Sequence, residues 1–168
     1  HPVNRRQRQM CIRDRELTAD ADAALQAQIE IAALAWETCI AATAIHYIND
    51  VIADMGEMVP PSYGSLDNLT NLTKHWGEMK GFALGLQFSP VSPFRTLDTI
   101  GGIEGTEALR RVLSLMGDAP VLADGSQGGV APSGTAAEAL AAYEAKLLEA
   151  RDLMQEAYAL NPDAVSIW

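Results

Sequence analysis

The chain has 168 residues, 48% of them apolar, and sets 22 Asp and Glu against 12 Lys and Arg for a net charge of −10. That length suits one core and one domain, and the apolar share is that of a folded globule. An acidic surface argues against nucleic acid and anionic lipid as partners, because both are bound by clustered Lys and Arg; no purely apolar run reaches the roughly 18 residues that span a bilayer, so no transmembrane segment is expected.

The first fifteen residues stand apart. His1 to Arg15 reads HPVNRRQRQMCIRDR, and Met10 to Arg15 within it resembles a translated sequencing-library adapter. Residues 1–15 are therefore set aside as a non-native scar, with a single helical domain expected over residues 16–168. The scar holds Arg5, Arg6, Arg8, Arg13 and Arg15 against Asp14. Without it the basic residues fall from 12 to 7, the acidic ones from 22 to 21, and the net charge moves from −10 to −14. A natural gene extending upstream of Glu16 is the expectation, which makes the chain a fragment of a longer protein. Cys11 falls in the scar and Cys39 has no partner, so a disulfide framework and a cysteine zinc site are excluded within the fragment.

From Glu16 onward the periodicity is helical. Thr18 can cap a first helix, with Asp20 and Asp22 at the positive end of its dipole. Leu25, Ile29, Ala32, Trp36, Ile40, Thr43, Tyr47 and Val51 then recur at steps of three and four, and Ile31, Ala35, Ala42, Ile45, Ile48 and Ile52 form a second apolar row. A helix apolar over so much of its circumference is predicted to be central. It ends near Gly56, before Pro60-Pro61. A second helix begins around Ser65 to Asp67 and carries a seam of Leu69, Leu72, Trp76, Met79, Ala83 and Leu86. Gly81 and Gly85 lie four apart on it; glycine costs about 1 kcal/mol inside a helix, so the pair predicts close approach of another helix or a ligand.

The middle is less regular. Ser92-Pro93 predicts a short helix to Ile100, Thr106 a capped helix to Met116, and Gly117 its C-terminal end. Residues 123–134 read as a flexible surface loop without a phosphate-binding pattern. Thr135 and Glu138 make a capping box for the last long helix, whose seam is Leu140, Tyr143, Leu147, Ala150, Met154 and Ala157. Asn161-Pro162 stops it, and the apolar tail to Trp168 is expected to dock on the bundle. No strand pattern is visible. The fold class is all-α, an antiparallel bundle of about four main helices.

Three polar clusters can carry chemistry. His75 and Glu78 are three apart on one helix face beside Trp76, a placement that suits a metal or a shared proton, or simply an intrahelical hydrogen bond. His46 and Asp50 are four apart, with Asp54 a turn further on and His46 expected to be partly buried among Ala42, Thr43 and Ile45. Glu37 beside Trp36 is either buried or part of a polar stripe with Glu30. Together they can build a mixed site between helices for a divalent metal. A di-iron centre needs two Glu-x-x-His motifs, and the chain has none; a zincin needs His-Glu-x-x-His, also missing. Neither serine nor cysteine sits in a nucleophile context. Asn68-Leu-Thr70 and Asn71-Leu-Thr73 read as helix-start chemistry rather than glycosylation signals.

The stretches Ile45 to Asn49 (IHYIN), Lys74 to Phe88 (KHWGEMKGFALGLQF), Met116 to Leu122 (MGDAPVL) and Ala150 to Tyr158 (ARDLMQEAY) resemble an uncharacterised, imelysin-like family of bacterial envelope proteins. The resemblance spans roughly Trp36 to Trp168. It implies a fold of two related helical bundles, of which this chain is the C-terminal half and the N-terminal half is missing. It also implies a His-x-x-Glu motif, matched by His75 and Glu78, although Thr73-Lys74 replaces the family's glycine-led context. By the same resemblance the location is periplasmic or cell-surface, the ligand iron, haem or another divalent metal, and the partners outer-membrane uptake components. A non-enzymatic binding protein, a partner-docking scaffold and, behind both, a metallopeptidase are the readings that follow.

Overall fold

The computed structural model of the chain describes residues 19–168, so the adapter-like segment and the Thr18 cap lie outside the described residues. Contacts divide the chain into two compact units, one ending at Ala35 and one spanning Trp36–Trp168. Helix α1 (Ala19–Gly56) begins in the first and continues into the second. Within the first unit its described side chains are mostly exposed, Leu25, Ile29 and Ile31 among them.

The second unit holds the core. Beyond α1 it contains α2 (Leu66–Gly85), α3 (Pro93–Thr96), β1 (Thr99–Ile100), β2 (Ile103–Glu104), α4 (Gly105–Met116), α5 (Ala136–Ala157) and α6 (Pro162–Val165). The described chain is all-α apart from one two-stranded hairpin. That hairpin, β1 paired antiparallel to β2, was not visible in the sequence. It forms because Gly101 and Gly102 both take positive φ, which closes a tight turn in the stretch read as the end of a helix. The helix expected from Ser92 to Ile100 is consequently a single turn.

Side-chain contacts set the helix directions. On α1, Asp54 meets His75 of α2 and Ile40 lies beside Gly85, so these helices run antiparallel. Glu37 meets Tyr158 and Asn49 meets Arg151, which makes α5 antiparallel to α1. Arg111 and Met116 of α4 meet Glu149 and Tyr143, so α4 and α5 are antiparallel too. Between them sit Ile45, Ile48 and Val51 of α1, Leu72 and Met79 of α2, Phe94 of α3, Val112 and Met116 of α4, and Leu147 and Met154 of α5, all fully buried. Each such side chain contributes about 1.5–3 kcal/mol relative to its exposed state.

The inward face of α1 is Ala41, Ala44, Ile45, Ile48, Val51 and Met55. It takes Val51 from one apolar row and Ile45 and Ile48 from the other, adds Ala41, Ala44 and Met55 from neither, and leaves Trp36 73% exposed. By length and composition alone α1 is long and apolar enough to cross a membrane. Its alanines and isoleucines raise the mean hydropathy, although Glu30, Glu37, His46 and Asp50 keep every purely apolar run short. From Ala41 onward it buries one face in the core, as the central helix of a globule does.

The termini follow local chemistry. Ser65 caps α2 by accepting from the Asn68 N–H, and the Asn68 amide donates to the carbonyls of Asp54 and Tyr63, tying the end of α1 to the start of α2. The cap of α4 is Glu104, which accepts from the N–H groups of Thr106 and Glu107; Thr106 is a donor there, not the cap. Gly117 closes α4 with a φ of 70°. The capping box at Thr135 and Glu138 is present in both directions. Residues 123–134 are more tied down than a free surface loop: Gln127 bridges to Val121 and Val130, its side chain donates to the Ala119 carbonyl, and Ala123 and Gly125 are buried. The tail docks through Val165, and the Asn49 amide donates to the Val165 and Trp168 carbonyls.

Candidate functional site

Helix α2 faces α1 with one polar patch centred on His75. The His75 Nδ1 lies 2.8 Å from an Asp54 carboxylate oxygen, with both side chains sheltered at 18% and 12% exposure. A carboxylate held this close orients the imidazole and sets its tautomer. The Tyr47 ring stacks against His75 on one side and Phe82 on the other, at centroid distances of 5.8 and 5.9 Å. Tyr47, Asp50 and Asp54 recur at steps of three and four, which places them along one stripe of α1.

Glu78 borders the same patch. One of its carboxylate oxygens is buried and takes no hydrogen bond among the described residues, and Lys74 stands 3.9 Å from it. The Tyr47 phenol is held above its ordinary pKa, first by burial, then by the hydrogen bond and charge of Glu78, and then by Asp50. Tyr47 thus stacks on His75 and feels the charge of Glu78.

Of the other sequence candidates, Asp50 shares the Tyr47 stripe, His46 turns toward solvent, and Glu37 and Trp36 lie far along α1. His46 and Asp50 approach to 3.3 Å, but the His46 side chain is 49% exposed rather than partly buried. It follows Ile45, which faces the core, and one residue along a helix turns the side chain by about 100°. Glu37 is 17 residues before Asp54 on the same helix, which at 1.5 Å per residue is about 25 Å. It cannot share a site with His75, and neither can Trp36. Among the described residues no three His, Cys, Asp or Glu side chains are grouped to hold a metal ion. Gly81 does not provide a close approach: a Cβ built there meets nothing within 4 Å, and one at Gly85 makes only ordinary contact with Ile40.

The rest of the motif around His75 is structural. The Lys80 ammonium donates to the carbonyls of Leu113 and Gly117 at 2.7 and 2.6 Å, with Asp118 at 3.7 Å. A cation here complements the negative end of α4 and satisfies carbonyls the helix leaves open. Burial holds its pKa below the ordinary lysine value, against the opposing pull of Asp118. The Trp76 indole N–H donates to the Tyr143 hydroxyl at 2.9 Å, which donates to the Met116 carbonyl at 2.7 Å. Burial raises the Tyr143 phenol well above its usual pKa, and the Trp76 N–H only partly offsets this. Lys74 to Lys80 is therefore divided by helix face, with His75 and Glu78 toward Tyr47 and Trp76 and Lys80 toward α4.

A separate cleft of about 670 Å³ lies between residues 121–134 and the start of α5, with Gln127, Tyr143 and Lys146 in its walls; none of the sequence candidates lines it. Asp54, set with His46 and Asp50 in the sequence, pairs with His75, and Tyr47, set in an apolar row, stacks on the same imidazole. Their signal was the 47–50–54 spacing, which sets them on one stripe but does not say what they face. No family model, curated protein or solved structure matches this chain.

Proposed function

We propose that this chain is a non-enzymatic binding domain of the bacterial cell envelope that takes up iron as haem and works beside outer-membrane uptake components. The observation that supports this reading is the sheltered His75–Asp54 pair, an imidazole oriented through Nδ1 so that Nε2 is the ring atom to offer a ligand. A bare metal ion does not fit, because no group of three donor side chains exists among the described residues. Haem carries its own four equatorial donors and needs only one or two from the protein, often a histidine. Glu78 and Tyr47 then shape the polar rim, and Phe82, 38% exposed, adds apolar surface beside them.

The test is a titration of the purified chain with ferric haem, read by its absorbance, beside the same titration of a His75→Ala variant. Stoichiometric binding lost in the variant is the expected result; wild-type protein that leaves the haem spectrum unchanged overturns the reading. A helical scaffold is the second reading, favoured by Trp76 and Lys80, which tie α2 to α5 and α4. It predicts that His75→Ala, Glu78→Ala protein keeps full partner binding.

A further inference from the structure

Beyond residue 15 the chain carries 7 Lys and Arg against 21 Asp and Glu, so a cation without a partner is unexpected. Six of the seven hold an oxygen within 3.9 Å. Lys146 alone makes no hydrogen bond or ion pair among the described residues, and it stands in the wall of the cleft beside residues 121–134. Glu138 lines the same cleft. Its Oε2 accepts from the Thr135 N–H and hydroxyl, while no hydrogen bond reaches Oε1 among the described residues. Glu138, Ala142 and Lys146 recur at steps of four, on one stripe of α5. The two charges lie eight residues apart, about 12 Å along the helix, too far to pair with each other.

Between these charged ends the cleft is apolar, with Val130 and Pro132 on the loop side and Ala139 and Ala142 on α5. The loop is held firmly there: Gly125 takes a φ of 80°, and a Cβ on it would come within 2.8 Å of the Ala136 Cα. A volume of about 670 Å³ is that of a small-ligand site. We propose that this cleft binds a short apolar peptide with free termini, its carboxylate on Lys146, its ammonium on Glu138 Oε1 and its side chains on the apolar walls between. An extended chain covers about 3.3–3.6 Å per residue, so three or four residues span the gap. A fatty acid would leave Glu138 unmet, and a nucleotide would bring phosphates to a site with a single cation. The site is separate from the His75 patch and stands whether or not that patch binds haem.

The isotope-labelled chain is titrated with valyl-alanyl-valine, leucyl-alanyl-leucine and phenylalanyl-alanyl-phenylalanine, each also in C-amidated and N-acetylated form. The amide signals of Val130, Ala139 and Ala142 report on the cleft by nuclear magnetic resonance. A free tripeptide is expected to move them, and amidation to weaken its binding about three- to fivefold, the range of an exposed ion pair. Lys146→Met should bind the free and amidated forms alike. Lys146 is exposed and has no partner, so this substitution leaves the fold intact. Glu138 also caps α5, so its end is tested from the ligand: acetylation should weaken binding to both proteins by a similar factor. The proposal is overturned if none of the three free peptides moves the cleft signals, or if amidation costs the same in wild type and Lys146→Met. An acetylated peptide that binds as tightly as the free one also overturns it.

Discussion

Lys80 and Glu37 show how far a side chain's role depends on what lies opposite it. Lys80 reads in the sequence as one of two lysines flanking a histidine motif, yet its ammonium fills the open end of α4. Replacing it by methionine keeps the length and removes the donors, leaving the Leu113 and Gly117 carbonyls short of partners. Lys80→Met is expected to lower unfolding stability by about 1–3 kcal/mol in urea denaturation, and an unchanged midpoint would show that the carbonyls find other donors. Tyr158→Phe removes the hydroxyl that Glu37 relies on. A buried carboxylate stripped of its direct donor costs about 2–3 kcal/mol, so this variant should melt well below wild type; equal melting would place Glu37 in contact with solvent.

At the scale of the element, the helix ends were largely legible and the helix faces were not. The capping box at Thr135 and Glu138, the Ser65 start and the Gly117 stop depend on residues within a turn of one another, so local sequence suffices. Thr135→Ala should cost about 1 kcal/mol, seen as a lower melting temperature with unchanged helical content in the native state. Gly81 is the converse case. Its expected role was close packing, but the space beside it is open and its φ is not positive. Gly81→Ala is therefore expected to stabilise the chain by up to about 1 kcal/mol, and destabilisation would restore a packing role.

For the whole molecule, the two ends of the pH range act through different groups. Glu104, Asp124, Glu138 and Glu149 are held below their ordinary carboxylate values, chiefly by hydrogen bonds from Thr106, Ser126, Thr135 and Arg111 respectively. Their unfolded forms bind protons more readily, so the stability they add is present above about 4.5 and is lost as pH falls through the folded values. Tyr143 and Tyr158 are raised by burial, so their contribution is present below 10 and is lost as pH rises beyond it. Lys80, lowered by burial, acts in the opposite sense near its ordinary 10.5. Urea midpoints measured across pH should fall at both extremes, and Tyr143→Phe should flatten the alkaline arm. An alkaline arm unchanged by that variant would mean the phenol ionises without disturbing the fold.

The sequence alone determined the helical class, the order of the long helices and the caps at Ser65 and Thr135. It did so because a 3.6-residue period and a capping side chain are set by neighbours along the chain. Which stripe of α1 turns inward was decided only by packing, since two apolar rows compete and the winning face takes residues from both. The same holds for the site: the 75–78 spacing placed His75 and Glu78 on one face of α2, but Asp54 as the partner of His75 and Tyr47 stacked on it required the antiparallel approach of α1. A hydrogen bond between residues 21 apart leaves no periodic trace in either helix, so it becomes visible only when tertiary structure brings the two faces together.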